Sequence, residues 1–231
     1  MRWSSALSLA CLLAIGVLSG CKSLPGYPKP QWQPPQDQLS FNVLYKQNCA
    51  ACHGEEGHNG PAMQLSNPTF LAIADDATLH DIISNGMPGT MMPAFAKSAG
   101  GMLTGKQVDA LVSGMRKAWG VPNILGADKA PAWLQPATGG NAPLGQKDYI
   151  MYCLSCHNST RTNITNTSYL ALVSDQVLRS IIIAGRPDLG QPDWRNVKAG
   201  HPLTDQEVTD IVTYLGSLRI NNPGQPYPSN Q

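Results

Sequence analysis

The chain has 231 residues, and its 16 basic and 15 acidic side chains leave a formal net charge of +1. This balance excludes the strong positive field on which nucleic-acid-binding proteins depend. Charged residues make up 13% of the chain, about half of the roughly 25% that is usual for soluble domains. So low a share is typical of a protein that is partly embedded in a membrane or built around a large apolar cofactor.

The first twenty residues have the composition of an export signal. Arg2 gives a positive start, and residues 6–17 form an apolar run that is too short to span a bilayer comfortably. The run ends in Leu18-Ser19-Gly20-Cys21, which resembles the bacterial lipobox, whose cysteine is acylated. Residues 1–20 are therefore predicted to be a lipoprotein signal peptide, with Cys21 carrying the lipid. An ordinary signal peptide with a chance cysteine is the alternative.

Composition divides the rest of the chain into two folded units and their connections. Residues 21–36 are rich in proline and predict a stiff tether between the membrane and the folded part. Residues 37–120 and 146–220 are the predicted folded units. Pro, Gly and Ala are frequent in the predicted linker, 121–145, and a polar tail follows at 221–231.

The two folded units are an internal repeat. Residues 71–95 align without gaps to residues 170–194, and nine of the 25 pairs are identical. In each copy apolar residues recur at i, i+3 and i+4 along a helix that Gly86 or Gly185 ends. The last helix of each copy opens with a capping-box pattern, formed by Thr104 with Gln107 and by Thr204 with Glu207. No convincing alternating strand is present, so both units are predicted to be all-α.

Each unit contains a Cys-x-x-Cys-His segment, the attachment pattern for c-type haem. Two thiols on one turn of helix reach the two vinyl groups of the haem, and the adjacent imidazole reaches the iron. A zinc site would need further ligands at a second spacing, and a redox dithiol would not explain a histidine at the same place twice. The sequence therefore predicts two covalently bound haem c groups, held by Cys49, Cys52 and His53 and by Cys153, Cys156 and His157.

With these motifs, both units resemble class I cytochrome c domains, and the resemblance covers most of the mature chain. Tyr45 and Tyr149 lie where the family has an aromatic residue, four positions before the first cysteine. The family's Gly-Pro, whose carbonyl accepts the N–H of the iron-bound histidine, is matched by Gly60-Pro61. The second unit has no such match, so another carbonyl must orient His157. The resemblance implies two tandem class I domains joined by a Pro/Gly-rich linker.

The family also crosses its first and last helices closely, with a glycine on one and an aromatic residue on the other. Gly145 and Tyr214 occupy these positions in the second unit, whereas the sizes are exchanged in the first, with Phe41 and Gly114. We predict that each pair meets at its helix crossing. Unrelated core choices at these positions are the alternative.

In class I domains a methionine from a Met-Pro loop completes the coordination of the iron. Met92, directly before Pro93, is the predicted ligand of the first iron, because both the repeat alignment and the Met-Pro context select it. Met87 also precedes a proline and Met91 is adjacent, so Met92 could instead only pack. His58 and His80 are most simply interpreted as solvated histidines.

The second unit has lost this methionine. Gln191 aligns with Met92, and no methionine follows His157 in the sequence. Three alternatives stay open for the second iron: weak coordination by the carbonyl oxygen of Gln191, an open or water-filled position, or a swing of His201 onto the iron. The first two are favoured, because His201 precedes the last helix at a position where a surface histidine is the common outcome.

The resemblance implies electron transfer rather than enzymatic catalysis, since a haem iron that is held by four porphyrin nitrogens and two protein side chains leaves no room for a substrate. The expected protein is a lipid-anchored, periplasm-facing di-haem cytochrome of a bacterial cell envelope, on the inner or the outer membrane. It would act as a carrier or as a subunit of a larger respiratory complex, with a redox protein or membrane complex as donor and acceptor. The alternative is small-ligand binding, sensing or peroxide chemistry at the second iron, whose predicted loop is flanked by Arg186 and Arg195.

Overall fold

A computed structural model describes residues 32–88, 90–136, 138–159 and 162–220. The predicted signal peptide, the lipidation site Cys21, most of the tether and the polar tail lie outside these ranges. Within them the regular secondary structure is helical and no strand is present, apart from two isolated backbone bridges. The predicted all-α class is therefore confirmed. No helix in the described ranges is long and apolar enough to cross a bilayer.

Helices of the first half of the chain follow the predicted pattern. The long helix α5 (Gly105–Trp119) begins with the predicted capping box, in which the Thr104 hydroxyl accepts the Gln107 N–H and the Gln107 side chain accepts the Thr104 N–H. Asn67 caps α3 (Pro68–Ile73), and Asp75 caps α4 (Asp76–Asn85). The helices are α1 (Phe41–Asn48), α2 (Ala50–His53), α3 (Pro68–Ile73), α4 (Asp76–Asn85) and α5 (Gly105–Trp119).

The second half repeats this order. Its last helix again begins with the predicted capping box, between Thr204 and Glu207. Its first helix begins inside the predicted linker, because the Asn141 side chain accepts the N–H of Leu144 and so caps the helix there. The helices are α6 (Ala142–Asp148), α7 (Thr167–Leu170), α8 (Asp175–Ala184) and α9 (Asp205–Ser217), with a π-helical turn (Tyr149–Cys153) directly after α6.

The repeat extends to the loops that carry the predicted sixth ligands. Gly86 and Gly185 end α4 and α8 with φ angles of 72° and 73°. A Cβ atom on Gly86 would lie 2.7 Å from the carbonyl carbon of Pro93, and one on Gly185 would lie 2.6 Å from that of Pro192. Glycine is therefore needed at both positions for two reasons. The backbone there is left-handed, and the loop returns so close to the helix end that a side chain would have no room.

Phe41 and Gly114 meet where α1 crosses α5, as predicted. A Cβ atom on Gly114 would lie 2.3 Å from the Phe41 ring, so the phenylalanine ring occupies the space that a side chain at position 114 would need. The rings of Phe41 and Trp119 pack edge to face with their centroids 5.2 Å apart. The exchange of the large and small residues between the two helices is therefore real in this half.

Replacing Gly114 by alanine is expected to lower the free energy of unfolding by about 1–3 kcal/mol, because the added methyl group overpacks the crossing. Gly105→Ala on the same helix is the matched control, since a Cβ atom there would meet nothing within 4 Å. The control should leave stability unchanged or raise it by up to about 1 kcal/mol. Chemical denaturation measures both, and equal effects of the two substitutions would contradict this packing.

In the second half the crossing is tighter than predicted. A Cβ atom on Gly145 would lie 1.9 Å from the carbonyl oxygen of Asp210, so the glycine faces the backbone of α9 about one turn before Tyr214. Tyr214 packs on Tyr149, with ring centroids 5.7 Å apart. The expected fit of Gly145 against the Tyr214 ring is thus corrected: the helices cross where predicted, but the atoms nearest to the glycine are backbone atoms of α9.

The described residues from Gln38 onward form one compact unit. Two hydrophobic clusters lie in this unit, one around Leu44, Phe70 and Leu111 and one around Leu170, Ile183 and Ile211. The segment predicted as a linker packs against both clusters: Trp133 belongs to the first, and Leu125 and Ala130 touch the second. Trp133 also donates its indole N–H to Ser180 at 2.8 Å.

Candidate functional site

The first Cys-x-x-Cys-His motif forms a single turn. Cys49 joins α1 to α2, donating its N–H to the carbonyl of Tyr45 at 2.8 Å and accepting the N–H of His53 at 3.0 Å. The thiols of Cys49 and Cys52 form no disulfide. Cys49 packs against the first hydrophobic cluster, whereas Cys52 is exposed. Burial, with a smaller contribution from Cys52, raises the pKa of Cys49 to about 12, so its thiol is neutral.

A backbone carbonyl fixes the orientation of His53. Its Nδ1 lies 2.7 Å from the carbonyl oxygen of Met63; since a carbonyl can only accept, Nδ1 carries the proton and Nε2 keeps the lone pair that can bind a metal. Burial lowers the pKa of His53, and the hydrogen bond to Met63 opposes that effect. The ring is therefore held as a neutral imidazole.

This acceptor differs from the predicted one, which was the Gly60-Pro61 match. The Gly60 position serves close packing instead: a Cβ atom there would lie 2.3 Å from the carbonyl oxygen of Cys52. Ala62 donates its N–H to that same oxygen at 2.9 Å. The loop is thus held against the Cys-x-x-Cys-His turn at residues 60 and 62, and the next carbonyl along the chain, that of Met63, reaches His53.

An aromatic cluster supports this turn from the side. The Tyr45 hydroxyl donates to the carbonyl of Gly54 at 2.9 Å, just after the histidine of the motif. Tyr45 also packs edge to face on Trp119, with centroids 5.0 Å apart. The sequence interpretation found Tyr45 through the family position but missed Trp119, whose place at the end of α5 carries no motif.

The second motif has similar hydrogen bonds, but it follows a π-helical turn rather than an α-helix. Its first cysteine ends the π-helical turn, and His157 donates its N–H to the carbonyl of Cys153 at 3.0 Å. The Nδ1 atom of His157 lies 2.6 Å from the carbonyl oxygen of Thr162, and the Tyr149 hydroxyl donates to the carbonyl of His157 at 3.3 Å. Another carbonyl does orient this histidine, so Nε2 is again the free nitrogen.

In the first half, the loop after α4 distinguishes its two adjacent methionines. Met91 is 82% exposed, whereas Met92 is partly buried and packs against the same hydrophobic cluster as Cys49. The carbonyl of Met92 accepts the Met87 N–H at 3.1 Å, and its N–H is donated to the Thr90 hydroxyl at 3.2 Å. The loop thus directs Met92 inward and Met91 outward.

The corresponding loop of the second half holds Gln191 by its backbone and its side chain. Gln191 and Arg186 exchange two backbone hydrogen bonds of 3.0 Å, the counterpart of the Met87–Met92 contact. The amide Nε2 of Gln191 donates to the carbonyl of Ile181 at 3.2 Å. The amide nitrogen is therefore engaged, and the amide oxygen is the end of Gln191 that could face a metal.

His201 is engaged elsewhere. Its Nε2 lies 2.8 Å from Glu207 and 3.0 Å from the Tyr152 hydroxyl, and the Tyr152 and His201 rings are stacked. Burial would raise the pKa of Glu207, but hydrogen bonds from Thr204, His201 and Tyr152 outweigh it and lower the pKa to about 2. A swing of His201 onto an iron would break this cluster, which disfavours that alternative.

The remaining histidines and arginines near these loops are also bound to partners. The Nδ1 atom of His58 lies 3.2 Å from the carbonyl oxygen of Glu56, and His80 Nε2 lies 3.4 Å from a carboxylate oxygen of Asp109. Both side chains are in contact with solvent, as predicted. Arg195 pairs with a carboxylate on its own loop and lies over the Trp194 ring, 4.8 Å from its centroid.

Comparison with known proteins decides the class of the chain. Residues 37–113 match the family model described as cytochrome c oxidase, cbb3-type, subunit III. A cbb3-type cytochrome c oxidase subunit FixP of Bradyrhizobium is 34% identical over 84 residues, which is 35% of this chain and 28% of that protein. The CcoP subunit of Azospirillum is 27% identical over 178 residues, 70% of this chain and 51% of that protein. The chain is a c-type cytochrome.

A third relative carries an enzyme name. The dihydro-haem d1 dehydrogenase of Pseudomonas aeruginosa is 29% identical over 127 residues, which is 52% of the cytochrome and 22% of that protein. The matched segments of these three relatives thus span between about a fifth and a half of their own lengths. The similarity concerns cytochrome c segments shared by larger proteins.

A c-type cytochrome holds its haem covalently, and the first motif fits that group. Cys49 and Cys52 present unpaired thiols on one turn, and His53 presents Nε2, the nitrogen left free by Met63. A soft sulfur donor, that of Met92, packs on the same cluster. Two thiols, an imidazole nitrogen and a thioether are the donor set that a His/Met cytochrome c requires.

Proposed function

We propose that this cytochrome carries two haem c groups in two tandem class I domains, residues 37–120 and 146–220, and transfers electrons in a periplasmic or extracytoplasmic respiratory chain. The repeated turn carries the proposal: in both halves the histidine after the second cysteine directs Nδ1 to a backbone carbonyl, at 2.7 and 2.6 Å. The donor and the acceptor are redox proteins or membrane complexes, and the cytochrome acts as a carrier or as a subunit.

The protein's own residues determine the potential at each site. Bound haem would supply an iron that takes up one electron from the donor and passes it to the acceptor. The Met92 thioether is a soft ligand that favours ferrous iron and thus a higher potential. Gln191 offers only an amide oxygen at the aligned position, so the second site is expected to have the lower potential. Electron transfer between unequal sites therefore has a preferred direction, from the second to the first.

Tethering to a membrane completes the proposal. Cys21 and its lipobox stand at the start of the proline-rich segment 21–36, and several acyl chains on one cysteine give stable anchoring. A tether raises the local concentration of the cytochrome near its membrane partners. The FixP and CcoP relatives are named as subunits of an oxidase, which supports a place beside a membrane complex of the cell envelope.

A second candidate function follows from the loss of methionine at position 191. A weakly held or open iron binds small ligands such as CO, NO or peroxide. Cleavage of an O–O bond also needs mobile acid and base groups beside the iron, and the nearest candidates are bound to others. Arg186 pairs with Asp188, and His201 lies against Glu207. Ligand binding or sensing is thus favoured over peroxide turnover as the alternative.

Reduced protein is expected to bind CO at half of its haem, because Met92 closes the first iron and Gln191 closes the second weakly or not at all. Absorbance spectra of the reduced protein with and without CO measure the fraction. Binding at all of the haem would contradict the assignment of Met92. No binding would show that a strong ligand such as His201 closes the second iron. Peroxide turnover, assayed alongside, would favour the enzymatic alternative over the carrier.

A further inference from the structure

A buried ion pair lies in the predicted ligand loop of the second half. The Arg186 guanidinium donates from Nε to one oxygen of Asp188 and from a terminal nitrogen to the other, both at 2.9 Å. The side chains are only 9% and 3% exposed. A bidentate pair so well shielded is geometrically specific and is affected little by salt.

Both members of the pair also bind the first half of the chain. Arg186 donates to the carbonyl of Ala62 at 3.1 Å and to that of Gly60 at 3.4 Å. Asp188 accepts the backbone N–H of Asn59 at 3.0 Å. A cationic and an anionic side chain of the second half therefore both bind the segment 59–62 of the first half.

This segment directly precedes the residue that orients His53. Met63, whose carbonyl accepts the N–H of His53, directly follows Ala62. Ala62 in turn donates its N–H to the carbonyl of Cys52, within the attachment turn.

A second polar contact holds the same two elements together. The Asn67 side chain caps α3 through its oxygen, and through its nitrogen donates to the carbonyls of Ala184 and Gly185 at 2.8 and 3.3 Å. Asn67 is buried. Arg186 thus starts from a helix end that is itself anchored to the first half, and its guanidinium has a fixed position relative to the loop at 59–63.

We propose that Arg186, although part of the second half, is a positioning residue that sets the potential of the haem at Cys49 and Cys52. It holds the loop whose carbonyl orients His53 and places a balanced pair of charges beside it. The proposal depends only on haem at the first motif, so it goes beyond the number of haems and does not depend on the second one.

Single substitutions that unbalance the pair test this. Asp188→Asn leaves the guanidinium charge uncompensated and is expected to raise the midpoint potential of the first haem, because nearby positive charge favours ferrous iron. Arg186→Gln leaves a buried carboxylate and is expected to lower the potential. We expect each shift to correspond to about a tenfold change in the equilibrium between reduced and oxidised haem, a typical coupling between sites. Redox titration followed by absorbance measures both.

Potential shifts of opposite sign in the two variants distinguish this role from a structural one, because loosening the contacts between the two halves would move both potentials in the same direction. The double variant Arg186→Gln/Asp188→Asn restores neutrality and is expected to return most of the way to the native potential. The double variant also tests the proposal if Arg186→Gln alone fails to fold. Shifts of equal sign, or no shift in Asp188→Asn, would overturn the proposal.

A second ion pair of the first half serves as the matched control. Arg116 at the end of α5 pairs with Asp76 at the start of α4, 2.7 Å apart, and Asp76 is largely exposed. Arg116→Gln and Asp76→Asn should give no opposed shifts, because solvent screens this pair. Haem content is measured first in every variant. A chain with one haem would refute the di-haem function while leaving the Arg186 test intact.

Discussion

Replacing Met92 by alanine is expected to lower the midpoint potential of the first haem by on the order of 0.1 V, since axial ligands set haem potentials over a range of about 0.8 V. Loss of the thioether removes the ligand that favours ferrous iron. It also opens the first iron, so the CO-binding fraction of the reduced protein should rise from half to all of the haem. Redox titration and CO spectra measure the two effects.

Met91→Ala is the matched control for this substitution. Met91 is the neighbouring residue, carries the same side chain and is 82% exposed, whereas Met92 packs on the hydrophobic cluster that Cys49 also touches. The control should leave both the potential and the CO fraction unchanged. A loss of potential in the Met91 variant with none in the Met92 variant would show that the loop presents the other sulfur to the iron.

Replacing Gln191 by methionine is expected to convert the second site into a copy of the first. The potential of the second haem should rise by on the order of 0.1 V, and the CO-binding fraction should fall from half to none. The physical reason is that the two loops share their backbone contacts: Met92 accepts the Met87 N–H at 3.1 Å, and Gln191 accepts the Arg186 N–H at 3.0 Å. A methionine at 191 thus starts from an equivalent position.

Gln191→Leu is the control, since it also removes the hydrogen bond from the side chain to the carbonyl of Ile181 but supplies no ligand atom. It should keep CO binding at half of the haem and should not raise the potential. If CO still binds half of the haem in Gln191→Met, position 191 does not face the second iron. That outcome would favour an open second iron, whichever side chain lies at position 191.

The sequence predicts well the features that repeat or that follow from local chemistry. Both capping boxes, the helix stops at Gly86 and Gly185, and the fit of Phe41 against Gly114 are as expected. These succeed because caps and stops depend on a few adjacent residues, and because the family position of a glycine states how close two helices must come. The site residues themselves stay predictions until haem is measured.

The path of a loop is harder to predict, because tertiary contacts and not local propensity determine it. The acceptor for His53 is the carbonyl of Met63 rather than that of the Gly60-Pro61 match. Any backbone carbonyl has the same chemistry, so residue type does not mark which one is used. The sequence likewise does not show that Gly60 packs closely against the backbone of the motif.

The contacts between the two halves could also not be predicted from the sequence. Arg186 reaches residues more than a hundred positions away, and Trp133 inserts an indole from a segment predicted to be a simple linker. Proline, glycine and alanine predict irregular backbone there, which is what the described residues before Ala142 have, but composition does not predict whether irregular backbone is packed. Single polar residues with distant partners leave no periodic pattern to read.

The number of haem groups per chain tests the central claim most directly. Intact mass, together with haem content of the purified protein, should give two covalently bound haems per chain. The Cys49→Ala/Cys52→Ala and Cys153→Ala/Cys156→Ala variants should each give one. A single haem in the native chain, or a native count that either pair of substitutions leaves unchanged, would contradict the di-haem cytochrome proposed for this protein.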